Sequence, residues 1–276
     1  MKAIVYNDST KCHNGCKAVM EYLYSDLELQ GVEVIEKNFS GINPKYKAIE
    51  LKRANAIIIN GEGSLHHNYV VPRWYVQIIK DAKKLGLKVY LINTVWQEMK
   101  MDPELVEALK DSYVSVREKY SAQEFWNHGI DAKIHLDLSY FRQPPVTDRQ
   151  SNLSTVLIGT FFLHRESPVT QLSILKESWG KMIEVLKDTG YFITGRHHEM
   201  YAACSAKCPV FVLESNTWKN QGLFATAGVN IPFASMNASD QILKGAVDKM
   251  KKAEGEYHKL FEWMENQPKF TFKGLI

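Results

Sequence analysis

Residues 56–64 read Ala-Ile-Ile-Ile-Asn-Gly-Glu-Gly-Ser, an apolar run of four that passes directly into a polar, glycine-rich segment. A short run that is apolar throughout is typical of a strand buried on both faces, as in the parallel sheets of α/β proteins. Along the chain, such runs alternate with segments of helical period, for example 15–29 and 74–85. The sequence therefore predicts an α/β fold with parallel, doubly wound sheets.

The alternation is interrupted once, at residues 139–154, where proline, serine, threonine and asparagine accumulate. We predict an N-terminal Rossmann-like domain over 1–140, a linker over 141–154 and a C-terminal Rossmann-like domain over 155–276. The second domain has fewer strand-like runs, which predicts a small sheet. It ends in a lysine-rich amphipathic segment, 240–263, that has the period of one long helix.

Composition excludes several classes of protein. The chain has 276 residues, 45% hydrophobic and 24% charged, and its net charge is only +3, whereas proteins that bind nucleic-acid backbones usually carry a strong basic excess. No stretch approaches the roughly 18 to 20 apolar residues of a membrane span. The N-terminus lacks the apolar core of a signal peptide. We expect a cytoplasmic protein without an integral membrane segment or a nucleic-acid partner; composition does not indicate an oligomeric state.

The four cysteines form two Cys-x-x-x-Cys pairs, Cys12 with Cys16 and Cys204 with Cys208. Four cysteines in a chain of this length do not make a disulfide framework. The two pairs could meet around a metal ion, but zinc sites more often have a two-residue gap between cysteines. We therefore interpret them as small buried side chains and assign no metal ligands.

Scarce residue types accumulate after the predicted strands, and ligands of open parallel sheets bind at the carboxyl ends of strands. Six of the nine histidines and three of the seven arginines fall there: His13, His66, His67, His164, His197, His198, Arg117, Arg165 and Arg196. A single histidine of this kind is usually an ordinary surface residue. The whole set favours a site for a small anionic substrate.

Two strand exits give the sharpest local patterns. After the strand at 56–59, Gly61, Gly63 and Ser64 would let backbone N–H groups approach a phosphate or carboxylate, although an ordinary strand-to-helix turn has the same pattern. After the strand at 191–193, residues 194–198 read Thr-Gly-Arg-His-His. Arginine binds carboxylate or phosphate through two parallel hydrogen bonds, and histidine transfers protons near neutral pH. This second segment predicts anion capture combined with proton transfer.

Four residues at other strand exits complete the predicted site. Arg117 ends the strand at 113–116, and Asp137 follows the last strand of the first domain, where it is either a base or a turn residue. Lys219, close to Asn216 after the strand at 210–213, could meet a phosphate as a point charge.

The order of these motifs resembles the polysaccharide pyruvyl transferase family over about residues 1–225. The resemblance is carried, in chain order, by Gly61 to Ser64, Ser115-Val116-Arg117-Glu118 with Ser121, Gly129-Ile130 leading to Asp137, Gly195-Arg196-His197-His198, and Asn216 with Lys219 beyond Cys208-Pro209-Val210. Two segments depart from the family pattern. The first loop, residues 12–16, is Cys-His-Asn-Gly-Cys instead of a Gly-Asn-x-Gly-Asp type, and Glu62 interrupts the usual run of three glycines.

The resemblance implies a GT-B-like fold, with two Rossmann-like domains facing across a cleft, the first on the acceptor side and the second on the donor side. It implies transfer of the enolpyruvyl group of phosphoenolpyruvate to hydroxyls of a sugar in a cell-surface polysaccharide or glycan, giving a ketal. Phosphoenolpyruvate is then the donor substrate, and no cofactor is expected.

Roles in the site also follow from the resemblance. Arg117 and Arg196 would clamp the donor, with His13 and His197 among the residues that bind substrate, and His198 would be the acid. His66, His67 or Asp137 would take the proton from the sugar hydroxyl, and the remaining substrate-binding residues are Gly61, Gly63, Ser64, Asn216 and Lys219.

Two alternatives remain open at this point. One is a GT-B glycosyltransferase that uses a nucleotide-activated sugar, for example a CMP-linked acidic sugar. The other is a binding module that has kept the fold and lost the chemistry, for which the departures at residues 12–16 and at Glu62 leave room.

Overall fold

A computed structural model of the chain describes residues 1–41, 48–149, 154–161 and 170–276. The chain divides into two compact units. The first comprises Met1–Cys12, Met20–Leu138 and Lys269–Ile276, and the second comprises His13–Val19 and Ser139–Pro268. The main crossing after Leu138 lies near the predicted domain end at residue 140. The sequence did not indicate that a short N-terminal segment belongs to the second unit or that the C-terminal residues belong to the first.

The first unit contains a six-stranded parallel sheet with the strand order β2-β1-β3-β4-β5-β6. Its strands are β1 Lys2–Asp8, β2 Glu33–Phe39, β3 Ala56–His66, β4 Lys88–Gln97, β5 Tyr113–Val116 and β6 Ala132–Ile134. The helices between them are α1 Asn14–Leu29, α2 Ala48–Leu51, α3 Val70–Lys84, α4 Pro103–Lys110 and α5 Lys119–Trp126. The predicted α/β fold with parallel strands is confirmed.

Helix α3 shows how this sheet is covered. Its residues Tyr75, Ile78, Ile79 and Ala82 are buried, and their spacing of three and four residues places them on one face of the helix. They pack in the same core as Ile57, in the fully apolar part of β3. Full burial of an isoleucine contributes about 1.5–3 kcal/mol, so this face holds the helix against the sheet.

The C-terminal residues complete the first unit. Phe270 and Phe272 are buried there, and the backbone N–H of Phe272 donates to Asp26 Oδ2 at 2.6 Å. Tyr90 Oη donates to the carbonyl oxygen of Leu275 at 2.7 Å. The last part of the chain is therefore packed against α1 and β4 by both apolar and polar contacts.

The second unit contains a four-stranded parallel sheet with the order β10-β9-β8-β7, so the expected smaller sheet is confirmed. Its strands are β7 Val156–Ile158, β8 Tyr191–Thr194, β9 Val210–Leu213 and β10 Phe233–Ala234. Its helices are α6 Trp179–Lys187, α7 His197–Ser205, α8 Lys219–Ala227, α9 Asp240–Lys244, α10 Ala246–Lys252 and α11 Glu254–Glu265. None of the helices in the described parts of the chain combines the length and apolar character that crossing a bilayer requires.

The long helix predicted over residues 240–263 is wrong in one respect, because the segment forms three consecutive helices. The breaks fall at Gly245 (φ −83°, ψ 0°) and Ala253 (φ −98°, ψ 14°). Both residues keep right-handed dihedral angles, so the amphipathic period continues across the breaks. A glycine inside a helix favours such a break because it lacks a side chain that restricts the backbone.

The glycine-rich segment also differs from its prediction, because β3 continues through it to His66. Residues 60–64 lie inside a strand that pairs with β4, with a register shift between Glu62 and Leu65. A Cβ atom on Gly61 would overlap the side chain and backbone of Thr94 on β4. Gly61 is therefore required by the close approach of two strands, and Gly63 lies in the shifted part of β3. Neither belongs to a phosphate-binding loop before a helix.

Candidate functional site

In the first sheet, the order in which successive strands are added reverses next to β1. Strand β2 lies on one side of β1, and strands β3 to β6 follow on the other side. In open parallel sheets, ligands bind beside the carboxyl ends of strands at such a switch point. Three buried asparagines, Asn7, Asn60 and Asn93, follow the apolar parts of β1, β3 and β4. They form a buried polar group at this edge of the sheet in the first unit.

Hydrogen bonds join these three asparagines. Asn7 Nδ2 donates to the carbonyl oxygen of Asn60 at 2.5 Å and to Ser64 Oγ at 3.1 Å. Asn93 Nδ2 donates to Asn60 Oδ1 at 3.3 Å, and Tyr75 Oη donates to Asn7 Oδ1 at 3.1 Å. Fully paired amides in a low-dielectric interior form a rigid network. Ser64, predicted to bind substrate, is part of this network.

Two of the asparagines have left-handed backbones, Asn7 with φ 59° and Asn93 with φ 53°. Non-glycine residues rarely adopt this region, and such residues cluster at functional sites. The asparagine cluster was not predicted from the sequence. The signal was present, because an asparagine directly follows each of the apolar runs 3–6, 56–59 and 89–92.

Arg117 and Asp137 lie inside the first unit. The side chain of Arg117 is 2% exposed and that of Asp137 0%, and Arg117 Nη1 lies 2.5 Å from Asp137 Oδ2. They meet because β5 and β6 are neighbouring parallel strands, so that residues following them come to one edge of the sheet. The two side chains form a buried ion pair, in which the opposite charges compensate each other. We therefore leave Arg117 as a donor clamp and Asp137 as a base out of the functional proposal.

His66 and His67 form a half-exposed group with Tyr69 at the end of β3. The two Nδ1 atoms are 2.6 Å apart, and the Tyr69 ring stacks on His67 with an angle of 22° between the planes. Glu98 Oε2 lies 3.5 Å from His67 Nε2. Tyr69 is 60% exposed, so it offers an aromatic face on which a sugar ring could stack. The assignment of a base to His66 or His67 stays a prediction.

The start of α1 and the start of α7 meet within the second unit. The imidazoles of His13 and His198 are 5.0 Å apart between centroids, edge to face. Cys16 Sγ lies 3.3 Å from His13 Nε2. The backbone N–H of Asn14 donates to the carbonyl oxygen of Ile174 at 3.3 Å, which ties the start of α1 to the second unit. We call His13, Cys16 and His198 the imidazole–thiol cluster.

Gly15 makes this approach possible, since a Cβ atom there would overlap Cβ and Cγ of His198. We expect Gly15→Ala to displace the His198 imidazole while leaving helix α1 intact, because alanine is a better helix former than glycine. The chemical shifts of the His198 ring in histidine-labelled protein would change, and those of the exposed His258 ring would not. Unchanged His198 shifts would contradict the close packing.

Glu199 anchors the first turn of α7. It has no exposed surface and accepts hydrogen bonds from Thr160 Oγ1 at 2.5 Å, Thr194 Oγ1 at 2.5 Å and the backbone N–H of Ile174 at 3.0 Å. Burial raises the pKa of Glu199, and the hydrogen bonds oppose this shift. These contacts fix the start of α7 relative to β8 and so position its neighbour His198.

The remaining predicted residues of the segment 194–198 have different surroundings. Arg196 is the N-cap residue of α7, is half-buried, and its backbone N–H donates to Thr194 Oγ1 at 3.0 Å. His197 is buried, with Nδ1 3.1 Å from Asn220 Oδ1 and its ring against Tyr201. His197 therefore packs in the core of the second unit, because successive residues of a helix face different directions.

Lys219 and Asn216 lie together after β9, and their assignment to a substrate site stays a prediction. Lys219 Nζ donates to Asn216 Oδ1 at 2.6 Å, and both side chains are half-buried. An ammonium group held in this way is preorganised as a point charge for a phosphate. Of the other sequence candidates, His164 and Arg165 lie outside the described residues.

No protein-family model matches the chain, and no curated protein matches its sequence. Solved structures do share its architecture. The functional uncharacterized protein KP1_0663 from Klebsiella pneumoniae is 14% identical, with a TM-score of 0.55 over 86% of this chain and 93% of that chain. UGT89C1 from Arabidopsis thaliana complexed with UDP-L-rhamnose is 10% identical, with a TM-score of 0.55 over 96% and 92%. The same protein complexed with UDP gives 11%, 0.56, 96% and 93%.

The chain has a GT-B-like fold. At these identities the likeness shows the fold and carries no assignment of substrate. Within this fold, the described features divide between the units. The asparagine network and the group around Tyr69 belong to the first unit, and Arg196, Lys219 and the imidazole–thiol cluster belong to the second.

The start of α7, in the second unit, carries side chains of the types that bind anions. Arg196 stands at the N-terminus of α7, where the helix dipole favours negative charge. His198 lies on the first turn of the same helix, and imidazole is the side chain that most often transfers protons in catalysis. A positive group and an acid on one helical turn suit a substrate that carries a phosphate or a carboxylate and reacts by proton transfer.

Proposed function

We propose that the protein is a transferase acting on sugars and that its donor is phosphoenolpyruvate, whose enolpyruvyl group it moves to sugar hydroxyls of a polysaccharide or glycan. The observation that carries the proposal is the first turn of α7, where Arg196 and His198 stand together and His13 packs against His198. The GT-B-like fold supports sugar transfer as the broader class.

The donor matches this arrangement chemically. Phosphoenolpyruvate carries a carboxylate and a phosphate on three carbons, so it needs two cationic groups. Arg196 suits the carboxylate because its fork forms two parallel hydrogen bonds, and Lys219 suits the phosphate as a point charge. Both residues belong to the second unit, which is the predicted donor side.

The reaction needs one proton donor and one acceptor. His198 in its protonated form gives a proton to the methylene carbon, and a sugar hydroxyl adds to the neighbouring carbon, losing its proton to a base. Phosphate then leaves, and a second hydroxyl adds and releases its own proton to complete the ketal. The sum is one phosphoenolpyruvate and one diol giving one ketal and inorganic phosphate. His66 or His67 is our candidate for the base.

Calorimetric titration with phosphoenolpyruvate tests the donor assignment, in parallel with UDP-linked and CMP-linked sugars. Saturable binding of phosphoenolpyruvate, followed by phosphate release when a sugar diol is added, supports pyruvyl transfer. Binding of a nucleotide sugar alone favours the second candidate, a glycosyltransferase. This candidate is considered because UGT89C1, which shares the fold, has been solved in complex with UDP-L-rhamnose and with UDP. Binding without product in any donor–acceptor mixture favours a binding module.

Arg196→Lys tests the role of the guanidinium. Lysine keeps the charge but loses the planar fork, so the variant loses one of two charge-assisted hydrogen bonds to the donor. A hydrogen bond to a charged group is worth about 1.5–3 kcal/mol, which predicts that affinity for phosphoenolpyruvate falls roughly 10- to 100-fold. Arg142→Lys is the matched control. Equal affinity of Arg196→Lys and wild type would remove Arg196 from the donor site.

A further inference from the structure

The imidazole–thiol cluster has a property that transfer of an enolpyruvyl group does not require. One ligand atom from each of His13, Cys16 and His198 can be chosen so that all three lie within 4.8 Å of one another. Cys16 is buried, and so is His198. Two imidazoles and a thiol gathered in this way are the ligand types that borderline-soft divalent cations prefer.

The distances suit a tetrahedral ion. Zinc lies about 2.0–2.1 Å from histidine nitrogen and about 2.3 Å from cysteine sulfur, which places neighbouring ligand atoms about 3.3–3.6 Å apart. Cys16 Sγ and His13 Nε2 are 3.3 Å apart, within this range. The greatest separation in the cluster, 4.8 Å, needs a closure of roughly 1 Å, which small rotations of the side chains provide.

The ligands are held on regular structure. His13 immediately precedes α1 and Cys16 lies on its first turn, so their spacing of three residues brings them to one side of the helix. Asn14 fixes that turn, because its Nδ2 donates to the carbonyl oxygen of Glu177 at 2.8 Å. Glu199 fixes the first turn of α7, which carries His198. Sites built on helices hold their geometry better than sites built on loops.

We propose that His13, Cys16 and His198 bind a thiophilic divalent cation, with Zn²⁺ as the natural occupant and the fourth position taken by water or an anion. Three protein ligands and one exchangeable position are the pattern of zinc sites that are open to solutes. Binding converts the Cys16 thiol to a thiolate, and its proton goes to solvent. The four cysteines do not meet around a metal as the sequence pattern would allow: among the described residues, this cluster includes Cys16 but not Cys12, Cys204 or Cys208.

Metal binding has a consequence for the proposed reaction, and this part rests on the proposed function. When His198 coordinates a cation, the nitrogen that binds the metal can no longer carry the proton for the methylene carbon. The metal-loaded protein is then unable to transfer the enolpyruvyl group, and removal of the metal restores transfer. The cluster would act as a zinc-sensitive switch on the donor side.

The binding arm of the test uses Zn²⁺ and Co²⁺ alone. We expect the metal-free full chain to bind one equivalent of Zn²⁺ in calorimetry and to show a thiolate-to-cobalt charge-transfer band with Co²⁺. Cys16→Ser should abolish the band and weaken Zn²⁺ binding by roughly 100-fold or more, since loss of an outer-shell partner alone costs 10–100-fold. His13→Gln should weaken binding to a similar extent. Cys12→Ser, which changes the exposed cysteine four residues away, is the matched control and should keep both.

Absence of stoichiometric Zn²⁺ binding overturns the proposal, and so does binding that Cys16→Ser leaves unchanged. The activity arm is separate. Addition of Zn²⁺ should abolish phosphate release from phosphoenolpyruvate and a sugar diol, and a chelator should restore it. Equal rates with and without bound Zn²⁺ overturn the switch. Absence of transfer at every metal level, with Cys16-dependent binding intact, counts against the proposed function and leaves the metal site standing.

Discussion

Replacing Asp137 with alanine is expected to lower the free energy of unfolding by about 3–5 kcal/mol, the cost of leaving a buried charge without its partner. The guanidinium of Arg117 is 2% exposed, and its Nη1 lies 2.5 Å from the lost carboxylate. Water cannot replace the missing oxygen without opening the edge of the sheet between β5 and β6. Urea-induced unfolding followed by circular dichroism gives the difference in free energy.

Asp131→Ala is the control for this measurement. Asp131 pairs with Lys133 at 2.7 Å, but the two side chains are 75% and 55% exposed. An exposed pair contributes about 0–1 kcal/mol, so the control should change little. The double variant Arg117→Met with Asp137→Leu should recover much of the loss, since apolar residues of similar size can replace a buried pair. A loss below about 1 kcal/mol in Asp137→Ala would show that the pair is solvated.

His198→Asn is expected to reduce the transfer rate from phosphoenolpyruvate by about 10²- to 10⁴-fold, the contribution of a positioned general acid. Asparagine keeps a hydrogen-bonding side chain but cannot deliver a proton to carbon. Because Arg196 stays in place, affinity for the donor should change much less than turnover. Phosphate release under saturating donor, together with calorimetry, separates the two effects.

The matched control is His258→Asn, which replaces a histidine of α11 whose side chain is 78% exposed. Its activity should equal that of wild type. If His198→Asn kept a wild-type rate, the imidazole would have no part in proton transfer. If it lost affinity for the donor as strongly as it lost turnover, His198 would bind the donor instead of protonating it.

The fold could be predicted from the sequence because short, continuous segments of the chain carry the patterns that indicate strands and helices. Each central strand is an apolar run, as at 56–59, and each such run passes into a helical period. The strand alternation therefore predicts parallel sheets without knowledge of their partners. The three consecutive helices at the end of the second unit escaped prediction because Gly245 and Ala253 keep right-handed backbone angles, so that the amphipathic period continues across both breaks.

The candidate site was harder to predict because it depends on partners that are distant in sequence. The glycine-rich segment has the composition of a loop, and only the approach of Thr94 makes it part of a strand. The scarcity of arginine pointed to Arg117 as a substrate-binding residue. In the structure, Arg117 is buried in an ion pair with Asp137, which follows a different strand. His13 and His198 were identified separately as site residues. Their contact depends on Gly15, whose small size matters only where α7 is known to pass.

The residues Lys269–Ile276 give the protein an unusual order of assembly. Domains generally fold as units during synthesis, the N-terminal one first. Here the buried Phe270 and Phe272 and the hydrogen bond from Phe272 to Asp26 belong to the first unit but are translated after the whole of the second. While the ribosome makes residues 139–268, Tyr90 and Tyr113, which contact these phenylalanines in the folded protein, lack those partners. Completion of the first unit therefore waits for the synthesis of residues 269–276, after the second unit has been made.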